Sequence, residues 1–314
     1  RPCLLPSQPA TRAVLTAGGI TDAMLRTQLA SGRLVRVRQN VFIAATDWPA
    51  DPAEQFVLRA RAEQAAHPEA VISHGAAAAV LALPSPDSMR WFEGPIGMTV
   101  EAGSRPFRDG VCYHRAPLPA GQVTTDAAGY RMTSPARTAV DLAGSLELPQ
   151  ALVLLDAAAR QACDRYVFEA RRRDYRNPRL VAAARELLSE AARTIRASRL
   201  RPAIQLTEPC RESPIESLAA GHFALAGLPM PLWQEPIRTP VGTLYPDCFW
   251  PEYRLVGEAD GADKYRDQQA AVREKEREQV LRDLGLRIVR WLGKEIIGRP
   301  QVVVERVRRE LGAS

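Results

Sequence analysis

The C-terminal part of the sequence carries three motifs in order: Glu212-Ser213-Pro214-Ile215-Glu216, Tyr245-Pro246-Asp247-Cys248-Phe249-Trp250-Pro251-Glu252, and Leu255-Val256-Gly257-Glu258-Ala259-Asp260-Gly261. Proline at a first helical position predicts a helix from Pro214 that carries Glu216 in its first turn. The apolar run before Glu258 predicts a strand, and a turn precedes another strand at Asp247. We therefore expect three or four carboxylates to converge at one edge of a sheet.

Converging carboxylates need a compensating charge, because like charges a few ångströms apart raise one another's pKa values. A divalent cation such as Mg²⁺, or Mn²⁺ in its place, accepts oxygen ligands and keeps positions open for water and phosphate oxygens. Such an ion polarises a phosphodiester and activates the attacking water. The pattern thus predicts a metal site, and its alternative is a set of solvated strand-end and turn residues.

At these residues the chain resembles the PD-(D/E)xK nuclease superfamily and, within it, the Vsr-like endonuclease domains of bacteria. The resemblance implies a restriction-endonuclease-like α/β domain in which Asp247, Glu258 and Glu216 bind Mg²⁺. The superfamily has lysine where this chain has Asp260, which would then support the site directly or through water. Lys264 or Lys275 would supply the missing cation and orient the attacking water.

Length and composition limit the classes of protein to which the chain can belong. Its 314 residues are enough for two or three domains. The net charge of +6 favours a polyanionic partner such as DNA. Five scattered cysteines without a Cys-x-x-Cys pair argue against a zinc site or a disulfide framework. No apolar run is long enough to span a membrane, and we expect a soluble, cytoplasmic, nucleoid-associated protein.

The N-terminal region predicts a winged helix-turn-helix. Thr21 is a plausible N-cap for a helix that ends before Gly32, and basic and apolar residues then alternate around a turn at Asn40. In that geometry the helix faces the major groove and the hairpin lies near phosphates. The predicted DNA-binding residues are Thr21, Arg26, Thr27 and Gln28 on the helix and Arg33, Arg36 and Arg38 on the hairpin. A basic, solvated hairpin is the alternative.

This region resembles AbiEi-type proteins, the antitoxin and autorepressor components of type IV toxin-antitoxin systems. Two later segments carry the resemblance further, to about residue 160: Ile72-Ser73-His74-Gly75-Ala76-Ala77-Ala78 and Thr133-Ser134-Pro135-Ala136-Arg137-Thr138-Ala139-Val140-Asp141. Arg137 and Asp141 are spaced i, i+4, and we expect them to pair on a helix surface. The 200–214 segment has the composition of a linker.

These observations predict a mixed fold of the α+β and α/β classes in three domains. The predicted domains are a winged helix-turn-helix at 1–50, an AbiEi-like middle domain at 51–200 and a Vsr-like nuclease-fold domain at 201–314. The leading functional hypothesis is a Mg²⁺-dependent DNA endonuclease acting in repair or defence. The alternative is a catalytically inactive DNA-binding regulator or antitoxin of AbiEi type. In a third hypothesis the C-terminal domain binds a toxin or repair partner.

Overall fold

The computed structural model of the chain describes residues 5–86, 90–103, 110–167, 172–260 and 268–312. Two compact units are present, one formed by residues up to 141 and the other by residues from 142 onwards together with 84–86. Both combine helices with sheets, which confirms the predicted mixed fold class. The three predicted domains are not tested by this division and stay a prediction. None of the described helices is long and apolar enough to cross a membrane.

The first unit opens with two short helices and a small antiparallel sheet. Its first elements are β1 (Ala10–Thr11), α1 (Arg12–Ala17), α2 (Asp22–Ala30), β2 (Leu34–Arg38), β3 (Val41–Ala44) and α3 (Pro52–Ala66). The strand order is β1-β3-β2. Gly19 makes the turn between α1 and α2 with φ 89°, a conformation that glycine adopts without steric cost. Two helices followed by a hairpin are in the order of a winged helix-turn-helix.

A five-stranded mixed sheet forms the rest of the first unit. Its elements are β4 (Val71–Ser73), α4 (His74–Val80), β5 (Ile96–Val100), β6 (Val111–Arg115), β7 (Val123–Thr125), β8 (Arg131–Thr133) and α5 (Pro135–Ala143). The strand order is β6-β5-β4-β8-β7, with β4 parallel to β8 and antiparallel to β5. Phe56 of α3 packs in one buried cluster with Ile72, Met98 and Met132 of the sheet. This core fixes the strand ends that carry Ser73 and Thr99.

The second unit begins with helices. They are α6 (Leu148–Asp164), α7 (Pro178–Thr194), α8 (Arg201–Leu206) and α9 (Pro214–Leu225). Helices α6 and α9 pack closely where Gly221 meets Pro149, and a Cβ at position 221 would lie 2.3 Å from the Pro149 Cα. The interpretation of 200–214 as a linker was wrong for its first half, because α8 lies there. A proline in its first turn suits a helix start, and the buried Ala203 and Ile204 hold it in place.

A four-stranded sheet, a separate two-stranded hairpin and further helices complete the second unit. These elements are β9 (Leu232–Trp233), the hairpin β10 (Ile237–Thr239) and β11 (Gly242–Leu244), β12 (Cys248–Trp250), β13 (Leu255–Asp260), α10 (Gln268–Asp283), β14 (Arg287–Leu292), α11 (Gly293–Gly298) and α12 (Pro300–Gly312). The order is β14-β13-β12-β9, with β13 parallel to β14. Asp247 directly precedes β12, and Glu258 and Asp260 lie at the end of β13. The sheet therefore brings the motif acids to one end.

Candidate functional site

Helix α2 begins as its sequence predicts. Thr21 is the N-cap, and its Oγ1 accepts a hydrogen bond from Met24 N at 3.3 Å. Leu25 is buried in the first unit, whereas Arg26 and Thr27 are exposed and Gln28 is half-buried. The Thr27 hydroxyl donates to Ala23 O at 3.0 Å. Arg26 therefore lies on the exposed face of α2.

The β2–β3 hairpin divides its arginines between solvent and protein. Arg33 and Arg36 are exposed, and the Arg36 guanidinium lies 5.9 Å from the centre of the Phe42 ring. Arg38 is half-buried and forms an ion pair with Glu63 of α3. The register shifts between Arg36 and Arg38, so the two side chains do not follow simple alternation. Arg33 Nε donates to Ser31 Oγ at 3.3 Å, and among the three arginines it is Arg38 that forms an ion pair with a described residue.

A cavity of about 980 Å³ adjoins α2 and the tip of the hairpin. Its wall includes Thr11, Arg12, Thr21, Arg38, Asn40 and His67. Arg12 Nε donates to Asp22 Oδ1 at 2.9 Å, and this hydrogen bond raises the pKa of Arg12 and lowers that of Asp22. The cavity shares Thr21 and Arg38 with the predicted DNA-binding set, so it belongs to the same face.

His74 and His114 stack in the five-stranded sheet, with ring centroids 3.5 Å apart and planes 15° from parallel. Ser73 Oγ lies 2.9 Å from His74 Nδ1 and accepts a hydrogen bond from Thr99 Oγ1 at 2.8 Å. Burial, and then the nearby charges of His114 and Arg137, lower the pKa of His74 to about 3. His74 is therefore uncharged at neutral pH, and its ring stacks on that of His114.

Arg137 and Asp141 pair inside the first unit, not on a helix surface as the sequence predicted. Arg137 Nε donates to Asp141 Oδ1 at 2.9 Å, and its side chain is 0% exposed. Arg137 Nη1 also donates to Pro117 O and to Gln122 Oε1. The i, i+4 spacing was correct, but it gives no information on which side of the helix is covered. Burial raises the pKa of Asp141, and Arg137 opposes that rise.

Glu216 is held at the start of α9 by the N-cap residue Ser213 and by hydrogen bonds to its own carboxylate. Ser213 Oγ accepts from Glu216 N at 3.3 Å and donates to Glu216 Oε1 at 2.8 Å. Glu216 Oε2 accepts from Glu212 N at 3.2 Å and from Gln234 Nε2 at 3.1 Å. The residue is only 3% exposed. Both of its oxygens therefore receive hydrogen bonds from the protein.

Gln234 links Glu216 to Asp247. Its Nε2 lies 3.5 Å from Asp247 Oδ1, and its backbone N donates to Asp247 O at 3.0 Å. Asp247 Oδ2 accepts from Ala259 N at 2.7 Å, which ties it to β13. Burial, and then the charge of Asp247, raise the pKa of Glu216 to about 7. Glu216 is buried and Asp247 is half-buried, and Gln234 brings these two motif acids together.

The acids of β13 meet arginines. Glu258 Oε1 accepts from Arg277 Nη2 at 3.0 Å, and Asp260 Oδ2 accepts from Arg290 Nη1 at 3.3 Å. Arg277 Nη2 also donates to Tyr245 O at 2.7 Å. Of the two predicted lysines, Lys275 is exposed on α10 and Lys264 lies outside the described residues. Sequence reasoning overlooked both arginines, because only the packing of α10 and β14 brings them to these acids.

A divalent metal does not fit this arrangement as described. Within the described residues, no three His, Cys, Asp or Glu side chains are grouped to hold a metal ion. The oxygens of Glu216 receive N–H and O–H donors, and Glu258 faces a guanidinium. Mg²⁺ requires oxygen lone pairs directed at a common centre. The metal and catalytic roles of Glu216, Asp247, Glu258, Asp260, Lys264 and Lys275 stay predictions.

Gln234 is the residue of this cluster that sequence reasoning missed. It is 1% exposed and adopts φ 50°, which is rare for a residue with a side chain. A glutamine directly after the short strand β9 gives no sequence signal of burial. Only its contacts with Glu216 and Asp247 identify it as the bridge between α9 and the sheet.

These features define a two-unit α+β protein whose first elements have the order of a winged helix-turn-helix. The sequence matches the family described as the AbiEi antitoxin C-terminal domain over residues 7–190. This is more than half of the chain, and the protein belongs to that family. The resemblance recognised from the N-terminal and middle motifs is thereby confirmed. The match ends before Glu212 and gives no support to the resemblance of the C-terminal region to Vsr-like nucleases, which stays a prediction.

Two uncharacterized proteins of Mycobacterium tuberculosis, one from each of two strains, are similar to this chain. Each is 34% identical over 186 residues. The similarity covers 59% of this chain and 59% of each relative. The chain thus spans less than two thirds of the length of these relatives.

Proposed function

We propose that the protein is a DNA-binding regulator of the antitoxin type, which binds duplex DNA with α2 and the β2–β3 hairpin. Membership of the AbiEi antitoxin family supports this function over catalysis. The net charge of +6 favours a polyanionic partner. The observation that carries the proposal is the exposure of three arginines that form no ion pair with a described residue: Arg26 on α2, Arg33 in the turn that follows and Arg36 on β2.

In this proposal α2 enters the major groove and the hairpin follows the backbone. Arg26 and Thr27 project from the exposed face of α2, where they would meet base edges. Arg33 and Arg36 would meet phosphates and set the position of the helix without reading sequence. Thr21 caps the start of α2, Gln28 is half-buried near its other end, and Arg38 braces the hairpin against α3 through Glu63.

Salt-dependent DNA binding tests this function. Each phosphate contact contributes about 0.9 to the slope of log K against log salt concentration. We expect Arg33→Ala and Arg36→Ala each to reduce the slope by about one, as measured by fluorescence anisotropy with a labelled duplex. Arg59→Ala on the exposed side of α3 is the charge-matched control and should leave the slope unchanged. Equal slopes for all four proteins would rule out the hairpin as the phosphate-binding element.

The antitoxin assignment also implies a protein partner. AbiEi-type antitoxins act with a toxin, and we extend this to the present chain as part of the proposal. A repair protein bound through the second unit is the other partner that the sequence suggested. Oligomeric state is a further property on which DNA half-site spacing would depend.

A metal-dependent DNA endonuclease is the second candidate function. The observation in its favour is the shared environment of Asp247, Glu258 and Glu216, which together raise the pKa of the buried Cys248 beyond the effect of its burial. We expect no cleavage of supercoiled, linear, single-stranded or mismatched DNA with Mg²⁺ or Mn²⁺. The carboxylate oxygens that would bind the metal already accept hydrogen bonds from an arginine and from other protein donors. Metal-dependent cleavage by the wild type that is lost in Asp247→Ala would establish the nuclease instead.

A further inference from the structure

A basic pocket lies at the C-terminal end of α7, away from the motif residues of the sequence. It has a volume of about 400 Å³, which is within the usual range for small ligands of roughly 300–1,000 Å³. We define the basic pocket by the residues Ser189, Arg193, Arg196, Ser198, Arg201 and Ile204. Ala192 and Ile204 also line it, and both are buried apolar residues. Three arginines therefore surround a concave, partly apolar surface.

Arg196 occupies a backbone position that normally belongs to glycine. It follows the C-cap Ile195 of α7 and has φ 58°. Ala197 N donates to Ala192 O at 2.8 Å and closes the helix end, in the pattern in which glycine usually takes the left-handed position. An arginine there costs free energy that glycine would avoid. Its side chain lines the pocket, which gives a functional reason for tolerating this cost.

The charge of the basic pocket is only partly compensated. Arg193 Nη2 pairs with Glu186 Oε1 at 2.7 Å. Arg196 and Arg201 form no ion pair with a described residue, whereas Arg185 and Arg211, elsewhere in the second unit, each pair with an acid. Two uncompensated guanidinium groups at one concave surface attract an anion. A planar guanidinium fork can donate two parallel hydrogen bonds to two oxygens of a phosphate, which a spherical anion such as chloride does not offer.

We propose that the basic pocket binds a phosphate group through Arg196 and Arg201. The group belongs either to a free phosphorylated small molecule or to the backbone of DNA. Both sources present the same tetrahedral oxygens to the two guanidinium groups. This inference goes beyond the proposed regulator function and does not rest on it, because free phosphate binds without DNA.

Calorimetric titration of the full chain with pyrophosphate at low salt tests whether the basic pocket binds a free phosphate compound. Loss of one charge-assisted pair of hydrogen bonds should weaken binding about tenfold or more in Arg196→Gly and in Arg201→Ala. Arg179→Ala, exposed at the other end of α7, removes the same charge and should bind as the wild type does. Arg196→Gly should unfold at the same temperature as the wild type or higher, because glycine relieves the left-handed position. A folding defect is thereby separated from a binding defect.

Anisotropy with a labelled duplex distinguishes the second source. If the pocket binds the DNA backbone, Arg196→Gly lowers the salt slope by about one relative to Arg179→Ala, and pyrophosphate competes weakly or not at all. If the pocket binds a small molecule, pyrophosphate titrates and the DNA slope is unchanged. The proposal is overturned if pyrophosphate gives no saturable binding and the DNA slopes of Arg196→Gly and Arg179→Ala agree. Failure of the winged element to bind DNA would leave the pyrophosphate result intact.

Discussion

The ionised form of Glu216 is energetically unfavourable at the start of α9. The residue is 3% exposed, and burial together with the charge of Asp247 raises its pKa from 4.5 to about 7. Hydrogen bonds from Gln234, Ser213 and Glu212 pull the pKa down but do not overcome burial. The protonated form is thus favoured in the folded state more than in the unfolded chain. Ionisation of Glu216 must therefore lower the stability of the fold.

Glu216→Gln should remove this pH dependence. The unfolded chain loses the Glu216 proton near pH 4.5 and the folded chain only near pH 7, so wild-type stability falls as the pH rises between these values. The unfolding free energy of the variant relative to wild type should rise by on the order of 2–3 kcal/mol between about pH 4.5 and pH 7 and then level off. Denaturant unfolding at several pH values measures this difference.

The matched control is Glu252→Gln, an exposed carboxylate directly after β12. The Glu252 side chain is exposed, so the same Glu→Gln change at this position shows the effect of the substitution without burial. If the difference for Glu216→Gln does not change between about pH 4.5 and pH 7, the hydrogen bonds from Gln234, Ser213 and Glu212 fully offset the burial of Glu216.

At the scale of elements, the sequence predicted those whose signals are local. Thr21 and Ser213 cap α2 and α9 because a hydroxyl oxygen satisfies free N–H groups of the first turn. Asn40 turns the β2–β3 hairpin with φ 60°, which asparagine tolerates. Each signal acts within a few residues of the chain. For that reason the helices, the hairpin and the strands of the motif region could be read directly.

Contacts between elements could not be predicted from such local signals. The pairing of Arg277 with Glu258 joins residues 19 positions apart, and that of Arg38 with Glu63 joins residues 25 positions apart. Nothing local distinguishes Arg277 from the exposed Lys275 two residues earlier. Which face of a helix is covered depends on the tertiary packing, and the same limit explains the burial of Arg137 and Asp141. The sequence thus predicted where the acids lie but not the cations that accompany them.

At the scale of the whole molecule, the second unit contains helices from both sides of the domain boundary that the sequence predicted at residue 200. Helix α6 lies within the family match of residues 7–190, whereas α9 carries the motif acid Glu216. They pack closely enough that Gly221 sits directly on the backbone of Pro149. Two helices in such close contact should unfold together, and with them the elements on either side of residue 200 that pack on each. The predicted boundary at residue 200 falls between these two helices.

Gly221→Ala tests this coupling. The new Cβ would lie 2.3 Å from Pro149 Cα, so α6 and α9 must separate, and we expect a loss of about 1–3 kcal/mol in unfolding free energy. Gly298→Ala is the control, because nothing lies within 4 Å of the added Cβ. Hydrogen exchange should rise in Gly221→Ala both in α7 and in β12 and β13, on either side of residue 200. A rise confined to one side would instead favour separate domains divided at the predicted boundary.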